Sequence, residues 1–98
     1  MTINKTQNGG ELTIALEGRL DTVTAPELEA ELKTALTGVT DLIFNMEKLD
    51  YLSSAGLRVL LSAQKQMNKQ GSMVVTKASE TILEIFEVTG FSDILTIQ

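Results

Sequence analysis

Short apolar runs with a two-residue period alternate along the chain with longer runs of helical period. Leu12, Ile14 and Leu16 alternate with Thr13 and Ala15, which predicts a strand. An earlier β-like segment covers Thr2 to Thr6, and the Asn8-Gly9-Gly10 turn signal between the two reads as a hairpin. Gly18 is expected to end the second strand. Thr24-Ala25-Pro26-Glu27 has the residues of a capping box, in which the Thr24 hydroxyl accepts from the Glu27 amide and the Glu27 carboxylate reaches back. Pro26 is harmless there, because first-turn amides have no helical partner. Val23 and Leu28 stand at hydrophobic-staple positions. Leu28, Leu32, Ala35 and Leu36 then form one apolar stripe of a helix that Gly38 stops.

Asp41 to Met46 is a compact apolar run and predicts a central strand buried on both faces, after which Lys48 to Leu52 turns a corner. A second helix begins at Ser53 or Ser54, carries Leu57, Leu60, Leu61, Gln64 and Met67 at helical spacing, and closes at Gly71. Met73 to Thr76 is a further short strand. Ser79 caps a third helix with Ile82, Leu83, Ile85, Phe86 and Val88, and Gly90 takes its C′ position, where Phe91 can pack back on Phe86. A short turn over Ser92 to Leu95 and the tail Thr96-Ile97-Gln98 follow. The order β-β-α-β-α-β-α predicts one α/β domain over residues 1–98. Its central sheet is expected to be mostly parallel with an N-terminal β-hairpin and three to four helices, the parallel strands being joined by right-handed helical crossovers.

Composition narrows the chemistry. The 98 residues contain no Cys and no His, which removes disulfides, thiolate and imidazole metal sites and histidine-assisted nucleophilic catalysis. Eight Lys and Arg against thirteen Asp and Glu give a net charge of −5, which repels a phosphate backbone and argues against nucleic acid as a partner. The segment MTINKTQNGG lacks the apolar core of a signal peptide and no apolar run reaches membrane-spanning length, so a cytoplasmic protein without membrane contact is expected. No phosphate-cradling loop of the GxxxxGK[ST] or GxGxxG kind is present, and no cofactor is expected. Glu27, Glu29 and Glu31 sit where a helix dipole favours acids, and Glu80, Glu84 and Glu87 read as a solvated helix face. Enzymatic activity is not expected.

Asp50-Tyr51-Leu52-Ser53-Ser54-Ala55-Gly56-Leu57-Arg58 differs from the rest, because it sets two adjacent serines at the start of an apolar helix. One serine is enough for a cap, worth about 1 kcal/mol. A phosphate on either would meet unpaired amides and a favourable dipole. By residue chemistry alone both readings stand, with capping ahead.

The Leu52-to-Leu61 stretch, with its Ser-Ser-Ala-Gly-Leu core, resembles the signature loop of STAS domains of the anti-sigma factor antagonist type. Gly18-Arg19-Leu20-Asp21, then Thr24-Ala25 and Leu28, resembles the family's Gly-x-Leu-Asp entry into the first helix, and Leu42 to Asn45 and Thr89-Gly90-Phe91 fit in order and spacing. The resemblance covers essentially the whole chain and implies a STAS-like fold and a partner switch. The unmodified antagonist binds an anti-sigma factor that is also a serine kinase. ATP-dependent phosphorylation of a serine at the helix start switches it off, and a serine phosphatase reverses the step. By position Ser54 is then the phosphoacceptor, and Asp21, Ser53, Ala55, Gly56, Leu57 and Arg58 are the motif and partner-binding residues, with an exposed apolar edge expected around Leu57 and Tyr51. Ser53 stands where the family pattern has Asp. The chain is expected to be a monomer or weak dimer, and the alternative function is a STAS-type protein- or ligand-binding scaffold that is not phosphorylated.

Overall fold

A computed structural model describes all residues, Met1 to Gln98. Strands β1 (Thr2–Asn8), β2 (Glu11–Leu20), β3 (Asp41–Leu52) and β4 (Ser72–Thr76) form one sheet in the order β1-β2-β3-β4. β1 and β2 are the antiparallel hairpin expected from Asn8-Gly9-Gly10, and β2, β3 and β4 run parallel. Helices α1 (Ala25–Ala35) and α2 (Ser54–Gln70) make the two crossovers; α3 (Glu80–Thr89) and a short 3-10 turn (Phe91–Asp93) follow β4. The tail then joins the sheet at Ile97, bridging Val75 in parallel, with the Val75 amide donating to the Thr96 carbonyl at 2.8 Å.

The core lies on one face of the sheet. Leu12, Leu42 and Met73 stand side by side in register, as do Ile14, Phe44 and Val75, and all six are buried. Leu28 and Leu32 of α1 with Leu36 at its C-cap, Leu57, Leu60 and Met67 of α2 and Ile82 and Phe86 of α3 close over them. Each fully buried side chain of this kind stabilises the fold by about 1.5–3 kcal/mol relative to an exposed one. The opposite face, with Thr13, Ala15, Ile43, Asn45, Val74 and Thr76, is only half-buried. β3 is thus central but covered on one side, a correction to the expectation of burial on both faces.

Three local expectations also change. β2 runs on past Gly18 to Leu20, and β3 continues through Lys48–Leu52, where a corner was expected. The β2–β3 register shifts between Ala15 and Glu17 and again between Gly18 and Arg19, each time adding one residue on the β3 side. Such bulges bend the strand pair and increase its twist without ending it. The third change is at the start of α1. Thr24 makes no side-chain cap bond to the helix, and Val23 is 82% exposed, so neither the Thr24–Glu27 box nor the staple forms. The reciprocal pair lies three residues earlier. The Thr24 amide donates to Asp21 Oδ1 at 3.1 Å, and the Asp21 amide donates to Thr24 Oγ1 at 2.9 Å. Threonine serves as the returning partner instead of as the cap.

Candidate functional site

Parallel pairing brings the C-terminal ends of β2 and β3 together, and Asp21, Ser53, Ser54, Ala55, Gly56, Leu57 and Arg58 follow there or just beyond. Arg19 lies beside Tyr51 and Leu20 beside Leu52, and the Ser53 amide donates to the Leu20 carbonyl at 2.9 Å. α2 starts immediately afterwards. Its N-cap is Ser53, in extended conformation, whose Oγ accepts from the Gly56 amide at 3.5 Å. The Ser53 carbonyl accepts the Leu57 amide at 2.9 Å. Capping is therefore assigned to Ser53. Ser54, the first helical residue, is exposed, and its hydroxyl has no hydrogen-bond partner within the chain.

Gly56 and Leu57 face inward. A Cβ at position 56 would lie 2.7 Å from Leu20 Cγ and from Leu52 Cδ1, and 3.0 Å from the Leu20 carbonyl oxygen. The glycine thus lets α2 sit down on the strand ends, and Leu57 is only 5% exposed. Leu57 is a core residue and offers no apolar edge to a partner, a correction that follows from the helix phase set by Ser53. Ala55 is half-buried and Arg58 exposed. Both line a groove of about 380 Å³ between α1 and α2, with Thr22, Pro26 and Glu29 on its other wall. Arg58 makes no ion pair.

Asp21 does not hydrogen-bond to either serine. Its Oδ1 accepts from the amides of Val23 and Thr24 at 3.0 and 3.1 Å, and Arg19 Nε approaches its Oδ2 at 3.6 Å. The Thr24 amide is the main reason its carboxyl titrates below the ordinary 3.8, aided by the Thr24 hydroxyl, the Val23 amide and Arg19 and opposed by partial desolvation. The Arg19 guanidinium also lies 4.2 Å from the centroid of the Tyr51 ring, which is 37% exposed. This stacked pair was not singled out as a unit from the sequence. The available signal was parity: Arg19 and Tyr51 each precede a core leucine in paired strands, so their side chains share the face away from the core. Arginine and tyrosine are the residue types that most often anchor interfaces.

The site is a surface. It joins the ends of two parallel strands, a helix start capped by Ser53, the exposed Ser54 hydroxyl and the unpaired Arg58 one turn further on, within a small α/β domain. A family model described as the STAS domain matches residues 2–98, and the chain belongs to that family. BtrV of Bordetella bronchiseptica, assigned as an anti-sigma factor antagonist, is 37% identical over 90 residues, covering 90% of this chain and 78% of BtrV. The anti-sigma-B factor antagonist of Bacillus subtilis is 29% identical over 98 residues, covering 99% of this chain and 90% of that one. Among solved structures, the anti-sigma factor antagonist SpoIIAA in its unphosphorylated form superposes with a TM-score of 0.78 at 22% identity, over 99% of this chain and 87% of SpoIIAA. That likeness establishes the fold. No helix of the chain is long and apolar enough to cross a membrane.

Proposed function

We propose that this chain is an anti-sigma factor antagonist that binds an anti-sigma factor with serine kinase activity and is released when Ser54 is phosphorylated. The observation that carries the reading is the division of labour between the serines: Ser53 holds the cap, which leaves Ser54 exposed with its hydroxyl unengaged. Relatives named as anti-sigma factor antagonists over most of their length support the partner class. In the modification step the kinase's ATP gives its γ-phosphoryl group to Ser54 Oγ. An O–P bond forms, ADP leaves, and the hydroxyl proton passes to a base on the kinase. A serine phosphatase hydrolyses the ester and restores the binding form. The chain itself is no enzyme, and it acts in the cytoplasm as a monomer or weak dimer, with residues 1–98 working as one unit.

The switch works by charge. A phosphate adds about −1.5 to −2 to a surface that already carries Asp21, Asp50 and Glu29. At the helix start the dipole and free amides tolerate that charge, so the domain stays folded. Buried in a protein interface the same dianion loses its hydration and binding fails. Ser54→Asp is therefore expected to lower affinity for the cognate kinase by about tenfold or more in isothermal titration, a loss of about 1.4 kcal/mol. Wild-type affinity in that variant would overturn the reading.

A further inference from the structure

The groove residue Arg58 has no partner in the unmodified chain, and its position assigns it one. Ser54 and Arg58 are four residues apart on α2 and both are exposed, so they are neighbours on one helix face. We propose that Arg58 is the internal clamp for a phosphate on Ser54, closing an i→i+4 ion pair that holds the phosphorylated form in one arrangement. The inference rests on the reading of Ser54 as phosphoacceptor and adds the residue that receives the phosphate.

Three observations support the clamp. Arg58 makes no ion pair although Glu29 lines the same groove, so its guanidinium is uncommitted. The order is the favoured one, with the acid on the N-terminal side and the base one turn later, in line with the helix dipole. Finally, α1 and α3 each have a glutamate in the first turn, Glu27 and Glu80, whereas α2 has no acidic residue there. A phosphate at Ser54 would supply that missing charge, and a planar guanidinium can take two of its oxygens at once. With Ser53 next to the acceptor, no carboxylate on the adjacent residue competes for Arg58. The nearby acid at the end of β2, Asp21, already has Arg19 and its own turn for partners.

Phosphoserine placed at position 54 by genetic-code expansion tests the clamp without any kinase. The second ionisation of the phosphate is followed by phosphorus-31 NMR as a function of pH in the full chain. Arg58 favours the dianion and lowers that pKa from its usual value of about 6. Arg19, Asp21 and Glu29, together with Asp50 and Tyr51 of β3, also act on the phosphate but are common to every variant, so the comparison isolates Arg58. In Arg58→Ala the pKa is expected to rise by roughly half a pH unit, with Arg58→Lys in between and the difference shrinking in high salt. Equal pKa values in the wild type and Arg58→Ala would overturn the clamp. That result would leave the phosphoacceptor reading standing, since the phosphoserine is incorporated during translation and no kinase is involved. Conversely, failure of a kinase to modify Ser54 leaves the NMR result unaffected.

Discussion

Ser53 and Ser54 are adjacent, identical in chemistry and opposite in role. Residue types alone leave the cap open to either, because a helix start displaced by one residue exchanges them. The structure resolves the pair by backbone conformation: Ser53 is extended with φ −95° and ψ 174°, while Ser54 is already helical. Removing the hydroxyl of each should therefore give different results in chemical denaturation. Ser53→Ala is expected to cost about 0.5–1 kcal/mol through loss of the cap. Ser54→Ala is expected to stay within about 0.5 kcal/mol of wild type, since that hydroxyl bonds to nothing in the chain. Equal losses in both variants would return Ser54 to the capping role. Asp21 and Thr24 follow the same logic. Both were prominent in the sequence, but a threonine can close a turn behind it as well as cap one ahead. Here its hydroxyl also donates to the Arg19 carbonyl at 2.7 Å and is not available to α1.

Helix stripes survive sequence reading better than bulged strands. Leu28, Leu32 and Leu36 keep a regular phase, and the end of α3 at left-handed Gly90 follows from the residue itself. In β3, by contrast, the buried positions run Leu42, Phe44, Met46, then Leu49 and Leu52. The step changes from two residues to three, so a period-2 reading stops at Met46 and takes the remainder for a corner. The bulges that absorb the extra residues are a property of the pairing with β2, and β3 alone does not reveal them. The candidate site inherits this limit. Its position at the ends of β2 and β3 depends on the extended strands, which is why the Arg19–Tyr51 pair came only with the structure. The helical spacing of Leu57 with Leu60 and Met67, by contrast, already pointed inward and outweighs the expected apolar edge. Gly56 gives the sharpest test at this scale. Glycine-to-alanine inside a helix ordinarily gains up to about 1 kcal/mol. Gly56→Ala is expected to lose about 1–3 kcal/mol in thermal or chemical unfolding, because the added methyl meets Leu20 and Leu52. A gain in stability would mean that α2 does not rest on the strand ends as described.

At the scale of the whole molecule, the fold places its core and the candidate site on separate parts. The helices bury one sheet face, and the exposed Ser54 at the start of α2 lies outside that core, so the phosphorylation proposed for Ser54 would leave the domain folded. On the proposed reading the net charge of −5 adds to this, since a phosphate on Ser54 raises repulsion toward any acidic partner surface. The central claim is that one hydroxyl among the chain's serines and threonines is the switch. It is tested most directly by incubating the chain with ATP and its cognate serine kinase, followed by intact-mass measurement and peptide mapping. The account predicts a single added phosphate, located on Ser54 and absent in Ser54→Ala. A stable complex with the kinase in which no phosphate is transferred, or a phosphate mapped to another residue, would contradict it.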